Sequence, residues 1–376
     1  MVDSTIPNDS LTEPVVRPVL LVDEGVYRSY TVYLRRILVG LADTAHASAL
    51  VCPGDIDTSV VDCPTVELFE YPTLRLSLFK SLNRRILLER LERFKPTVLH
   101  TFSPGQIELA AFLSEALEVP LVVTFHGHRG HWNHRAKAML QAARVLAPSA
   151  VLAERAAMLY PTLRERIELV PVGSYVEDTC VCFSHVHRPA SLIAVHPFED
   201  ARLFEPLLGA VRHLALDGCE LVLALMGVGP AERAIRRQIR AMGLSPRVAL
   251  VPPMRPLRTV LEGADVFLHL KDRGLFNAQL IEAMSVGLAV AGVADQTGGL
   301  LIDGQTATLW DGADELSIYA GLKRLLNQRE VARQFALNAQ AFLQHHCSVS
   351  GMIDKTLAAY IAAQQQYKGQ SASTTG

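Results

Sequence analysis

The sequence predicts an α/β fold of two domains, and two observations carry that prediction. At 376 residues, with 49% hydrophobic and 20% charged side chains, the chain is globular and too long for one ordinary core. Its second half alternates short apolar runs with longer helical stretches. Strand Ser191 to Val195, helix Ala201 to Ala215, strand Glu220 to Met226, helix Pro230 to Met242, strand Arg247 to Val251 and helix Leu257 to Gly263 come first. Strand Val266 to Leu270, a helix ending at Val286 and strand Leu288 to Val293 follow. Such a series builds a parallel sheet with helices on both faces. A sheet of this kind takes ligands outside the carboxyl ends of its strands.

The first half reads as follows. Residues 1–15 are polar and Pro-containing and are expected to form a disordered leader. Val19-Leu20-Leu21-Val22, within Pro18 to Val22, is a buried parallel strand, and Tyr30 to Leu41 is a helix with Tyr30, Leu34, Ile37, Leu38 and Leu41 on one face. Between them the loop Asp23 to Ser29 holds a single glycine, Gly25. Leu82 to Phe94 is a basic amphipathic helix leading into Val98-Leu99-His100. Pro120 to Phe125 is a strand, Ala136 to Leu146 a helix, and Arg144 to Ser149 the strand after it. From Leu316 the chain is helical to near Gln366, and 369–376 is a polar, disordered tail.

Composition narrows the function. A net charge of −2 gives no electrostatic footprint for nucleic acid. No apolar run is long enough to span a bilayer, and Met1 to Leu11 lacks the layout of a secretion signal, so a cytoplasmic location is expected. Arg84, Arg85, Arg90 and Arg93 on the basic helix are either a solvated face or a peripheral contact with the inner membrane surface. The six cysteines have no spacing that implies a disulfide framework. Four histidines between His126 and His134 match no zinc pattern, and Cys180-Val-Cys182-Phe-Ser-His185-Val-His187, if extended, splits its cysteines and histidines between two faces. Neither is read as a metal site; the second is read as a linker or edge strand.

The most informative window runs from Ala264 to Gly287: strand, polar break, helix, with Gly287 where a helix would stop. Glu282 stands in it between Ile281 and Ala283-Met284. A carboxylate buried without partners there would be costly, so it meets a donor or faces a cleft; the alternative is a surface Glu. Gly227-Val228-Gly229-Pro230 lies at another strand end, its glycines suited to a tight turn and Pro230 to a first helical position.

Ala264-Asp265 and Glu282-Ala283-Met284 resemble the donor-sugar motif of the family 4 (group 1) retaining glycosyltransferases. There one Glu precedes Glu-Ala-Met by eight positions, and here that place is Gly274. Gly227-Val-Gly229-Pro230, Ala45-His46-Ala47-Ser48 and Ile167 to Gly173 are similar to other segments of the family. The resemblance covers nearly the whole chain. It implies the GT-B architecture, two Rossmann-like domains facing across a cleft. An N-terminal acceptor-side domain would span 16–178, a linker 179–190 and a nucleotide-sugar domain 191–345, with a helix over 346–368 crossing back.

The resemblance also implies site residues: Glu282 on the nucleotide ribose and His126 on the sugar, with Gly25, Arg202, Gly227, Gly229, Gly298 and Gly299 toward the donor phosphates. The family's second loop glycine is Val26 here, one of two cations after the first strand of the second domain is Pro197, and the Gly298-Gly299 to Gly304 segment lacks the family's acidic residue and about three positions. No cofactor or metal is implied, the nucleotide sugar being a substrate. The reaction expected is transfer of a sugar with retention to an acceptor hydroxyl. The alternatives are a non-catalytic relative that binds or scaffolds, and a phosphorylase-like or epimerase-like enzyme on the same fold.

Overall fold

The computed structural model describes residues 15–54, 56–59, 61, 63–71, 80–127, 136–185, 188–271, 276–295 and 298–374. Two open sheets carry the fold. The first holds β1 (Pro18–Leu21), β2 (Ser48–Cys52), β3 (Val66–Glu70), β4 (Val98–Thr101), β5 (Leu121–Thr124), β6 (Arg144–Ala147) and β7 (Ile167–Leu169), in the order β3-β2-β1-β4-β5-β6-β7. The second holds β8 (Ala190–Val195), β9 (Leu221–Met226), β10 (Val248–Val251), β11 (Val266–His269), β12 (Ala289–Gly292) and β13 (Ala307–Leu309), in the order β10-β9-β8-β11-β12-β13. Every neighbouring pair in the second sheet is parallel. Continuous apolar runs such as Pro18–Leu21 and Ala289–Gly292, buried at every position, suit strands covered on both faces.

The helices follow the strands. They are α1 (Glu24–Asp43), α2 (Lys80–Phe94), α3 (Ile107–Ala116), α4 (Ala136–Met139), α5 (Ala150–Leu159), α6 (Glu205–Leu216), α7 (Glu232–Ala241), α8 (Leu257–Leu261), α9 (Ala278–Ser285), α10 (Glu315–Asn327), α11 (Arg329–His346) and α12 (Val349–Thr374). Both sheets share one doubly wound order, in which the chain reverses direction across the sheet between the first and fourth strands. These are Rossmann-like sheets.

Contacts group the chain into two compact units, Met1–Val123 with Lys137–Val145 and Lys355–Gly376, and Thr124–Ala136 with Leu146–Asp354. The grouping cuts the first sheet between Val145 and Leu146. Within the first unit, the later part of α12 is tied to the strands: Tyr360 Oη lies 2.7 Å from His100 Nδ1, Gln364 donates to Thr97 Oγ1 at 2.8 Å, and Arg144 donates to Gln366. Burial lowers the His100 pKa to about 3, so the pair is a neutral one.

Two expectations need correcting. The helix placed at Tyr30 to Leu41 begins at Glu24, because the Asp23 side chain caps it by accepting from Val26 N–H at 2.8 Å. Tyr30 interrupts it with φ −123° and ψ 20°, so the apolar periodicity reports only the part beyond that kink. The helix placed at Ala136 to Leu146 is one turn, Ala136–Met139. Turns at Gln141 and Ala142 close it, and Ala143 N–H joins the sheet by donating to Leu121 O at 2.8 Å. The competing strand reading of Arg144 onward is the one the chain adopts.

Cys180, Cys182 and Phe183 are buried in the hydrophobic core around the second sheet, and no strand forms over them. Desolvation pushes the Cys182 thiol up to about 12. Cys182 N–H donates to Gly287 O at 3.0 Å and Phe183 N–H to Asp265 Oδ1 at 3.0 Å. His187 lies outside the described residues. On α2, Arg84 sits over the Phe112 ring and Arg85 pairs with Glu89, while Leu82 and Ile86 are exposed. Among the described residues no helix is long and apolar enough to cross a membrane.

Candidate functional site

In the second sheet the order reverses between β8 and β11, and in open sheets of this order the crevice outside the carboxyl ends of such a strand pair is where ligands bind. Glu282 lies in α9, the helix that follows β11. Asn277 starts that helix as its N-cap, its side chain accepting from Gln279 N–H at 3.0 Å. Leu280 to Ser285 are all buried, and Glu282 is only 5% exposed. It is therefore an interior carboxylate and not a surface one. Arg258, on α8, brings a guanidinium nitrogen to 3.9 Å from Glu282 Oε2.

His126 follows β5, buried, with its carbonyl accepting from Phe276 N–H at 3.1 Å. The next residue, Asn277, approaches His269 Nδ1 at 3.4 Å, at the end of β11. His126, His269 and the start of the Glu282 helix are thus joined through Phe276-Asn277. Gly274 and residues 128–135, including His128, His131 and His134, lie outside the described residues.

Gly227 and Gly229 serve packing inside the chain. A Cβ on Gly227 would lie 2.1 Å from His196 O, and one on Gly229 2.3 Å from Phe198 O. Gly227 N–H donates to Val251 O at 3.0 Å and Gly298 N–H to Asp295 Oδ1 at 2.9 Å. Gly299 has φ +65° with open space around its missing Cβ. Gly25 sits in the first turn of α1, where a Cβ would meet only Asp23 Oδ1 at 3.5 Å, and the neighbouring Val26 N–H is the one held by Asp23.

Arg202 is exposed at the turn after β8, its guanidinium paired with Asp200 at 2.9 Å. The Asp200 carboxyl is held below its usual range by hydrogen bonds from Arg202 and, more weakly, by the charge of Lys271. Lys271 follows β11 directly and is exposed. Sequence reading passed over Lys271 and Arg258. The signal for Lys271 is a cation just past an apolar strand, which gains meaning once β11 is known to lie beside β8. Among the described residues no group of three or more His, Cys, Asp or Glu could hold a metal ion.

Two family profiles match this chain: Glycosyltransferase Family 4 over residues 31–176 and Glycosyl transferases group 1 over residues 196–328. Together they take in well over half of it, and the chain belongs to these glycosyltransferase families. The sulfoquinovosyl transferase SQD2 of Arabidopsis thaliana is 25% identical over 287 residues, covering 69% of this chain. This chain spans about half, 55%, of that relative's length. Among solved structures, a glycosyltransferase from Rickettsia africae superposes with a TM-score of 0.76 at 12% identity, covering 93% of this chain and 98% of that one. Anabaena Alr3699/HepE, solved in complex with UDP and glucose, gives 0.73 at 14% identity over 91% of this chain and 98% of that one. These likenesses bear on the fold alone, which is that of the GT-B glycosyltransferases.

Proposed function

We propose that this chain is a retaining glycosyltransferase moving a sugar from a nucleotide-sugar donor to an acceptor hydroxyl. One observation carries the reading: Glu282, a buried carboxylate beside a guanidinium, lies on the helix that follows β11, one of the two strands flanking the switch point of a Rossmann-like sheet, in a chain of these families. A carboxylate accepts from two vicinal hydroxyls at once, which suits a ribose. His126 is assigned to a hydroxyl of the donor sugar, supported by its link to the start of α9.

As the bond from anomeric carbon to phosphate oxygen breaks, negative charge grows on the leaving diphosphate. Groups that meet this charge lower the barrier. The N–H groups of Val26, Gly227 and Gly298 already donate inside the chain. The reading therefore gives most of the neutralisation to Arg202 and Lys271, with Gly25 and Gly299 allowing close approach. No metal or cofactor is part of it. The nucleotide donor is supported by the UDP-bound Anabaena neighbour, and a cytoplasmic site of action, with α2 as a peripheral membrane contact, belongs to the same proposal. The glycine at 274 points to a donor that does not need the missing carboxylate.

The test is a transfer and donor-hydrolysis assay across UDP-, GDP- and ADP-sugars on wild type and Glu282→Ala. Turnover with at least one donor, abolished by the substitution, is expected. Nucleotide binding without turnover on any donor would favour a non-catalytic relative. Turnover that survives Glu282→Ala would remove the carboxylate from the mechanism.

A further inference from the structure

We infer that Arg258 is a positioning residue for the nucleoside end of the site, keeping the Glu282 carboxylate oriented for the ribose hydroxyls. The inference rests on the donor-binding role proposed for Glu282. Arg258 stands on α8, which packs on α9. Its Nη1 donates to Ser285 Oγ at 3.1 Å and its Nη2 to Glu177 Oε1 at 2.6 Å. The same Ser285 hydroxyl donates to the Glu282 carbonyl at 2.9 Å. One hydroxyl thus links the guanidinium to the backbone of the residue it serves.

Three carboxylates lie near Arg258 and their environments differ: Glu262, one turn along the chain with Oε1 3.9 Å from Nε and a side chain 44% exposed, is on the outside with Glu177. Glu177 is 47% exposed on its side chain and Glu282 only 6%, while Arg258 between them is 22% exposed. Water screens the outer pair, so it adds little. The inner carboxylate has lost most of its water, so the attraction of a nearby cation is screened far less. At 3.9 Å the Arg258–Glu282 approach is outside hydrogen-bond range, so the guanidinium acts by its charge and spends its hydrogen bonds elsewhere.

The outer anchor is fixed in turn. Glu177 N–H donates to Ser285 O at 2.9 Å, and buried Gln340 donates to the carbonyls of Glu177 at 3.0 Å and Thr179 at 3.2 Å. A guanidinium held at both ends keeps one place relative to α9. An ion pair needed only to join α8 to this segment would be complete with Glu177, and would have no need of the buried side of Glu282.

The ligand separates positioning from simple support of the fold. Binding of UDP and of 2′,3′-dideoxy-UDP is measured by calorimetry on wild type, Arg258→Met and Arg258→Lys. Arg258→Met is expected to weaken UDP about tenfold, the scale of one charged hydrogen bond, and dideoxy-UDP by less than about twofold. Arg258→Lys, which restores the charge, should recover part of the difference. Equal loss for both ligands, or none for either, would overturn the inference. If Arg258→Met does not fold, the ratio of the two affinities in Arg258→Lys and Ser285→Ala decides in the same way. A wild type that binds none of UDP, GDP and ADP fails the proposed function itself, which is a different result.

Discussion

The phenolic oxygen of Tyr360 and Nδ1 of His100 meet at 2.7 Å although 260 residues separate them, and this buried pair fastens the later part of α12 to β4. The His100 ring also lies 4.2 Å from that of Phe102. Burial lowers its pKa to about 3, well below the roughly 6.5 of an unfolded chain. Below pH 6.5 the unfolded state takes up a proton that the folded state refuses until about pH 3. Stability therefore falls as the pH drops through this window and is independent of His100 above it.

His100→Gln removes that proton linkage. Urea unfolding should show wild type more stable than the variant at pH 7.5, with the gap narrowing by about 2 kcal/mol at pH 5, since one pH unit is worth about 1.4 kcal/mol. A gap that does not change with pH would show that His100 is not buried neutral.

The glycines divide by what their missing side chains would touch. Gly227→Ala should lower stability by about 1–3 kcal/mol or more, because the new methyl would lie 2.1 Å from His196 O and backbone would have to move. Gly25→Ala should fold with stability within about 0.5 kcal/mol of wild type. Any loss of nucleotide affinity in that variant would therefore report the ligand's approach to α1. Thermal shift with and without UDP reads both; an unchanged melting point for Gly227→Ala would contradict the packing role.

Much of this was legible before the structure. The second sheet could be read because its strands are short unbroken apolar runs set between helical periods, and Glu282 stood out as a charge in one of those periods. What local pattern could not show was anything made by distant residues. Arg258 reads as a solvent-facing arginine in Leu257-Arg258-Thr259-Val260 with Glu262 one turn on, and only the folded chain reveals its distant carboxylates, Glu177 and Glu282. Asp23 as a cap was hidden because the kink at Tyr30 moves the apparent helix start to the wrong residue. Arg144 to Leu146 satisfied both helix and strand patterns, and pairing within the sheet settled it.

Asp265, read in sequence as part of the donor-sugar motif, does structural duty. Its carboxylate accepts from Ser191 N–H at 2.8 Å, Phe183 N–H at 3.0 Å and Arg188 Nη2 at 2.9 Å, tying the segment before β8 to the start of β11. Asp265→Ala strands two buried amide donors and should cost about 3–5 kcal/mol, by the scale of broken buried charge pairs. Proteolysis near Arg188 should rise sharply. A variant with wild-type stability would mean that water or rearrangement replaces these bonds.

Arg202 and Lys271 provide the last test, because the proposed site gives them the diphosphate. Each follows one of the two strands that flank the switch point, and both act on Asp200. Arg202→Ala removes a charged hydrogen-bond donor and should weaken UDP binding about tenfold while leaving uridine within about twofold. Lys271→Ala should do the same to a smaller degree, and the two losses should multiply if the groups act independently. Asp200→Asn should move affinity the other way, since it frees the Arg202 guanidinium from its present partner. Salt gives an independent check: raising ionic strength should weaken UDP binding in wild type more than in the double variant, because exposed charges are screened. Equal losses for UDP and uridine in Arg202→Ala and Lys271→Ala would show that these cations support the fold, and the diphosphate would then have to be held by main chain alone.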